Sequence, residues 1–244
     1  MQQPTDVHWM AVKWILWYLK FTIDHGILIK PSTNIQLYAF IDADWAGCPD
    51  DCHSQSGHCL YLGPNLISWI SKKQAIVSKS STESEYHGIA YATAEVTWIQ
   101  SLLKELQVSL AKPPILWCDN LGATYLTANP IFHAYIKPIE IDFHFVREKV
   151  ANKDIDIHFI SSWDQTADIM TKPLGIARYT LLRNKLTVSP RLLSLRGPIT
   201  AHKSSSHTWA VIVTVPQISL QFKFEFEYVI TPIITLPKIS LFYN

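Results

Sequence analysis

Residues 37–47 read Leu37-Tyr38-Ala39-Phe40-Ile41-Asp42-Ala43-Asp44-Trp45-Ala46-Gly47. The first five are apolar or aromatic and the stretch is closed by a glycine, so a buried strand is predicted over 37–41. Asp42 then follows the strand. A carboxylate at the end of a central strand lies half in the core and half in a cleft. It is too costly to leave unpaired there, so it meets a cation, a metal or a hydrogen-bond donor. Three later stretches each set one more acid beside an apolar element: SSTESEY at 80–86, ILWCDN at 115–120 and TADIMTKPL at 166–174. Four acids of this kind suggest one divalent-metal site.

The chain has 244 residues, 48% of them apolar, enough for one large domain or one domain with flanks. Lys and Arg (21) nearly balance Asp and Glu (20), so net charge does not point to a nucleic-acid partner. Cys48, Cys52, His53, His58 and Cys59 can be drawn as a zinc cluster, but they lack the paired C-x2-C spacing of structural zinc sites. A disulfide scaffold is disfavoured in a chain of this size. No basic leader follows Met1, and no apolar run approaches the ~18–20 residues of a membrane span. An intracellular protein without a membrane partner is expected, in cytoplasm or nucleus.

Residues 4–20 read as a helix capped by Thr5 or Asp6. Its stripe is Val7, Ala11, Ile15, Leu16 and Leu19, and Trp9, Trp14, Trp17 and Tyr18 make it apolar nearly all round. Ile27 to Ile29 is a short extended piece. After the 37–41 strand, two runs flank Gly63-Pro64-Asn65 as a hairpin, giving a three-stranded meander. Ser80 to Gln107 is the longest helix, with a core stripe of Gly88, Ile89, Ala92, Val96, Ile99, Leu103 and Leu106. Glu85 falls at the end of that stripe, three and four residues before Gly88 and Ile89, whereas Glu83 points elsewhere. Residues 115–118 form a strand ending in Asp119, and residues 139–150 a helix with Ile141, Phe145 and Val146 inward. A fifth strand is predicted over 155–160, then a short helix carrying Asp168, capped by Asp164 or Thr166 and stopped by Pro173. From Thr187 onward prolines break every run, and the alternating QFKFEFEY of 221–228 carries no evident chemistry.

Taken singly, each acid has an ordinary explanation. Asp119 could cap a helix, and Glu85 or Asp168 could answer a helix dipole. Together, four carboxylates repel one another unless hard cations neutralise them, and oxygen-only ligation favours Mg²⁺ or Mn²⁺ over zinc. Two such ions ~3.5–4 Å apart suit in-line phosphodiester cleavage.

The strings IDADWAGCPDD, SGHCLYLGPNLISWISKKQ, SSTESEY, LWCDN, HFVREKV and DIMTKPL, in order between about 36 and 186, closely resemble the ribonuclease H domain of copia-type LTR-retrotransposon Pol polyproteins. The resemblance implies an α/β ribonuclease H-like fold, a mixed five-stranded sheet flanked by helices. It also implies hydrolysis of the RNA strand of an RNA–DNA hybrid with two Mg²⁺, Mn²⁺ substituting. Carried over by motif, the catalytic and metal-binding residues are Asp42, Glu85, Asp119 and Asp168. Asp44 and Glu83 are left as supporting residues. Lys72, Lys73, Lys79, Ser81 and Asn120 are candidate substrate contacts, beside the acids or on the loop before the Glu85 helix. Residues 1–30 resemble the connection to a reverse transcriptase domain, an implied partner; 31–188 are the ribonuclease H-like domain, and 189–244 an unrelated tail expected to be poorly ordered.

The chain departs from the family's pattern at Cys52-His53, at residues 134–139, and at Trp14, Trp17 and Phe21. The changes at 134–139 remove basic side chains near the expected substrate path. They leave a catalytically idle, nucleic-acid-binding remnant as the alternative. An integrase-like nuclease is disfavoured by the acid order Asp, Glu, Asp, Asp and by the lack of an upstream zinc-binding segment.

Overall fold

A computed structural model describes residues 4–128, 140–190 and 211–213. Its elements run α1 (Asp6–Thr22), β1 (His25–Ile29), β2 (Leu37–Asp44), β3 (Gln55–Leu62), β4 (Asn65–Lys73), α2 (Ser81–Glu105), β5 (Ile115–Cys118), α3 (Leu121–Ala128), α4 (Glu140–Ala151), β6 (Asp156–Phe159), α5 (Asp168–Thr171), α6 (Ile176–Lys185), β7 (Val188–Pro190) and β8 (Val211–Val213). The main sheet has five strands in the order β4-β3-β2-β5-β6. β2, β3 and β4 form an antiparallel meander, and β5 and β6 add in parallel to the other side of β2. This is the mixed five-stranded α/β, ribonuclease H-like architecture expected from the sequence. A smaller sheet pairs β1 antiparallel with both β7 and β8.

Alternation along β2 separates two cores. Leu37, Ala39 and Ile41 face α2 and pack with Tyr86, Ile89, Val96, Leu116 and Val146. Tyr38 and Phe40 face the other way, against a cluster of Tyr61, Ile169, Met170, Leu182 and Leu186 that also takes Ile27 of β1. The sheet is therefore covered on both faces around β2, and each fully buried Leu or Ile contributes roughly 1.5–3 kcal/mol. The β3–β4 hairpin turns on Gly63, whose φ of +57° favours glycine; a Cβ there would meet the Asn34 carbonyl oxygen at 2.1 Å.

Several expectations are corrected. β2 continues through Asp44, so Asp42 lies within the strand, paired with Gly57 of β3, instead of following it. Pairing of Lys72 and Lys73 with Ser56 and Gln55 of β3 prolongs β4 in the same way, so Lys72 and Lys73 are strand residues and not loop residues. α1 is a different case: read as apolar nearly all round, it keeps that surface open among the described residues, with only Ala11 buried and Val7, Ile15, Leu16 and Leu19 exposed beside Trp9, Trp14 and Trp17. Leu106 falls at the C-cap of α2 and is exposed, where the helix has already left the sheet. In α4 the inward residues are Phe143 and Val146, Phe145 is half-buried, and Ile141 is turned out, because the helix is rotated from the phase read in the sequence. Neither Asp164 nor Thr166 caps α5, whose N-cap Ala167 has no side chain to offer. Residues 134–139 and the 221–228 alternation lie outside the described residues. Among the described residues no helix is long and apolar enough to cross a membrane.

Candidate active site

The parallel pair β2 and β5 brings Asp42 and Asp119 to the same end of the sheet. Asp42 shares the face of Tyr38 and Phe40 and so points toward α5. Its cross-strand partner Gly57 makes that approach feasible: a Cβ on Gly57 would lie 2.6 Å from Met170 Cβ and 2.8 Å from Thr171 Cγ2. Pressed onto the sheet in this way, α5 delivers three groups. The Thr171 hydroxyl donates to Asp42 Oδ2. Lys172, just past the helix, sets Nζ 2.8 Å from Asp42 Oδ1 and 2.7 Å from Asp168 Oδ1. Asp168 also accepts from Arg178 Nη2 at 3.0 Å. The same guanidinium donates to the carbonyls of Ser162 at 2.8 Å and Trp163 at 2.5 Å, which ties the loop after β6 to the site.

The second half is built by α2 and β5. Ser80 caps α2 with its hydroxyl 3.2 Å from the Glu83 amide, and Glu83 Oε2 accepts from the Lys79 amide at 2.8 Å. Glu83 is thereby engaged at the helix start through Oε2, with Oε1 buried and without a hydrogen-bond partner among the described residues, while Glu85 is buried against the acids. Beyond β5, Asn120 Oδ1 accepts from the Ala123 amide at 2.9 Å and caps α3. This frees the half-buried Asp119 from any capping duty; its Oδ2 accepts from Ser162 Oγ at 2.8 Å.

Carboxylate oxygens of Asp42, Asp119 and Asp168 lie within 4.8 Å of one another, and ligand atoms of Glu85, Cys118 and Asp119 do likewise, so Asp119 is common to both groups. Burial pushes the Asp42 carboxyl up to about 6 although Lys172 and Thr171 pull it down. Burial, then the charges of Asp42 and Asp119, hold Glu85 well above the usual carboxylate range. Burial opposes the charge of Lys172, but Asp42 and Asp168 outweigh it and keep the ammonium protonated. Burial and the neighbouring Glu85 raise the Cys118 thiol, so it is a weak donor to Glu85 at 3.8 Å and not a thiolate ligand. What remains for a metal is a set of oxygens, with more negative charge than Lys172 and Arg178 offset. That donor set fits a hard divalent cation.

All four sequence-read acids thus converge. The candidate substrate residues do not form one group with them. Lys73 Nζ pairs with Asp51 and reaches Cys48 Sγ at 3.4 Å. Lys72 stands opposite Ser56 on β4, Ser81 is the exposed first residue of α2, and the Asn120 side chain is taken up in capping. Sequence reading passed over Gly57, Ser162, Thr171, Lys172 and Arg178. Only Lys172 carried a signal, since a cation four residues after Asp168 is the spacing of a helical ion pair.

The sheet order is that of the ribonuclease H-like fold, and sequence comparison supplies the family. The chain is 47% identical over 188 residues to the retrovirus-related Pol polyprotein from transposon RE2 of Arabidopsis thaliana, a match covering 77% of this chain and 13% of that protein. It is 33% identical over 183 residues to the corresponding polyprotein from transposon TNT 1-94 of Nicotiana tabacum, covering 75% of this chain and 14% of that protein. The chain belongs to the retrovirus-related Pol polyproteins of transposons, and it spans about one-seventh of the length of these relatives. No protein-family model matches it. Among solved structures, LC11-RNase H1, isolated from compost by a metagenomic approach, aligns over 56% of this chain and 93% of its own with 12% identity and a TM-score of 0.44.

Proposed function

We propose that this chain is an RNA–DNA hybrid ribonuclease, cutting the RNA strand endonucleolytically at the end of β2 and β5. The reading rests on one observation: Asp42, Glu85, Asp119 and Asp168, from four separate elements, meet with too little cationic side-chain charge to balance them. These four would hold two Mg²⁺ ions, or Mn²⁺, which when bound supply an activated water and stabilise the leaving oxygen. The protein's own share is to fix the oxygens. Thr171 orients Asp42, Ser162 orients Asp119, and Arg178 orients Asp168 while anchoring the loop on which Ser162 sits. Holding ligands this way lowers the reorganisation needed when charge develops on the phosphate. A hybrid would be selected by its shape, 2′-hydroxyls and phosphates. Lys72, Lys79 and Ser81 remain candidates for the phosphate path.

In this reading residues 31–188 are the nuclease unit, 1–30 a remnant of the connection to the reverse transcriptase domain of the parent polyprotein, and 189–244 an added tail. The exposed Trp9, Trp14 and Trp17 of α1 are the surface that such a neighbour would cover. The departures at Cys52, His53 and residues 134–139 favour a second reading, a remnant that binds nucleic acid without turnover. One assay separates the two. The full chain is incubated with an end-labelled RNA–DNA hybrid and Mg²⁺, beside EDTA and Asp119→Asn controls. Metal-dependent cutting of the RNA strand, lost in the variant, is the expected result. A folded protein that binds Mg²⁺ and leaves the RNA whole overturns the enzyme in favour of the remnant.

A further inference from the structure

The two cations at the acidic end are held in different ways. The Arg178 guanidinium is committed to backbone carbonyls of the 162–165 loop as well as to Asp168, so it is part of the framework. Lys172 has no such anchor. Among the described residues its ammonium contacts only Asp42 Oδ1 and Asp168 Oδ1, at 2.8 and 2.7 Å. Those oxygens belong to carboxylates from two separate elements, β2 and α5, and both carboxylates belong to the same group of potential metal ligands. The ammonium therefore draws together two carboxylates that a divalent ion would also draw together. Its side chain is 36% exposed, so a path to solvent lies open along its own stem.

We propose that Lys172 is a tethered counter-ion: it holds Asp42 and Asp168 in register while the site is free of metal, and withdraws toward solvent when a divalent cation takes its place. This rests on the reading of the four acids as metal ligands. An ammonium and a divalent ion sharing two carboxylates in a buried pocket repel each other strongly, because the low local dielectric screens them little. Lysine suits the exchange, being a compact charge on a flexible stem, where a forked arginine would be locked in place. Loading of the site and release of Lys172 are then a single event. The metal must outcompete a built-in cation, and it meets carboxylates already spaced to receive it.

Two measurements on the full chain test this, neither of which depends on turnover. The first is the rate at which a small amine-reactive reagent modifies Lys172, read by peptide mass spectrometry, with exposed Lys153 as internal reference. Lys172 is expected to react slowly in EDTA and at least several-fold faster in saturating Mn²⁺, with Lys153 unchanged. An unchanged Lys172 rate in protein that demonstrably binds Mn²⁺ overturns the proposal and leaves the metal site intact. The second is Mn²⁺ affinity, by electron paramagnetic resonance of the free ion, for wild type, Lys172→Met and Lys172→Arg. Lys172→Met is expected to bind about tenfold tighter or more, with a lower thermal midpoint in EDTA that Mn²⁺ restores, and Lys172→Arg no tighter than wild type. Equal or weaker binding by a folded Lys172→Met overturns the proposal. Absence of Mn²⁺ binding in all three overturns the reading of the acids themselves.

Discussion

Asp42 and Asp168 lie in direct contact with cations, Lys172 at 2.8 and 2.7 Å and Arg178 at 3.0 Å, whereas among the described residues Glu85 has a backbone hydrogen bond from Ala43 and the protonated Cys118 thiol, and Asp119 the Ser162 hydroxyl, with no ion pair to either. The two halves share one end of one sheet, yet only the first is close to neutral by itself. The second carries its imbalance as proton affinity, with Glu85 held well above the ordinary carboxylate range. A buried acid that cannot find a cation takes a proton instead. The Asp42 half is thus organised by side chains already present, and the Glu85 half gains most from an ion supplied from outside.

The sharpest way to break this contrast is to remove the residue common to both groups of potential ligands. Asp119→Asn is expected to lower metal-dependent cleavage by about 10²–10³-fold or more, since several kcal/mol of transition-state charge stabilisation depend on the ions it would help hold. Glu83→Gln, two residues from Glu85 but occupied at the helix cap, should retain cleavage in the same assay.

Gly57→Ala attacks the Asp42 half alone. The new methyl, 2.6 Å from Met170 Cβ, must push α5 off the sheet, and overpacking of this kind costs about 1–3 kcal/mol. Urea denaturation should report that loss.

A third test uses pH. In EDTA, burial holds folded Asp42 near 6 against its ordinary 3.8. The folded state therefore keeps a proton that the unfolded chain has released, and the stability tied to this group, full below about 4, is lost as pH rises through 6. The stability of Asp42→Asn relative to wild type should accordingly rise across that window. His58, held by burial near 4 against 6.5, has the opposite slope, but it is common to both proteins and cancels in the difference. The smallest effect is expected for Ser162→Ala, which removes one hydrogen bond from half-exposed Asp119 and should cost about 0.5–1.5 kcal/mol, visible as a modest loss of Mn²⁺ affinity.

What could be read from the chain in advance follows the range of the interactions. The meander, α2 and the four acids were legible because apolar period and strand length are local signals, and Glu85 was separable from Glu83 by helical geometry. The phase of α4 was not, because Ile141 and Phe145 make as good an apolar stripe on paper as Phe143 and Val146, and only the neighbouring α2 chooses between them. Gly57 and Thr171 were invisible for the same reason: their importance is a close approach between β3 and α5, far apart in sequence. The extension of β2 past Ile41 is not legible because the apolar run ends there; Thr171 of α5 and Lys172 just after it are what allow Asp42 to stay in the strand.

The parallel pairing of β2 with β5 has a consequence for how the protein comes into being. Parallel neighbours cannot be joined by a tight turn, and here β3, β4 and α2 all lie between them along the chain. Asp42 and Asp119 therefore become neighbours only after a long loop has closed, and Asp168 joins later in the chain still. Such distant contacts are the slow part of folding. The meander and α2 can form early, but the acids cannot meet in any partly built intermediate. A polypeptide emerging from synthesis would carry no assembled acid cluster until nearly all of this region had been made, and refolding followed by Mn²⁺ uptake should lag behind the recovery of helix.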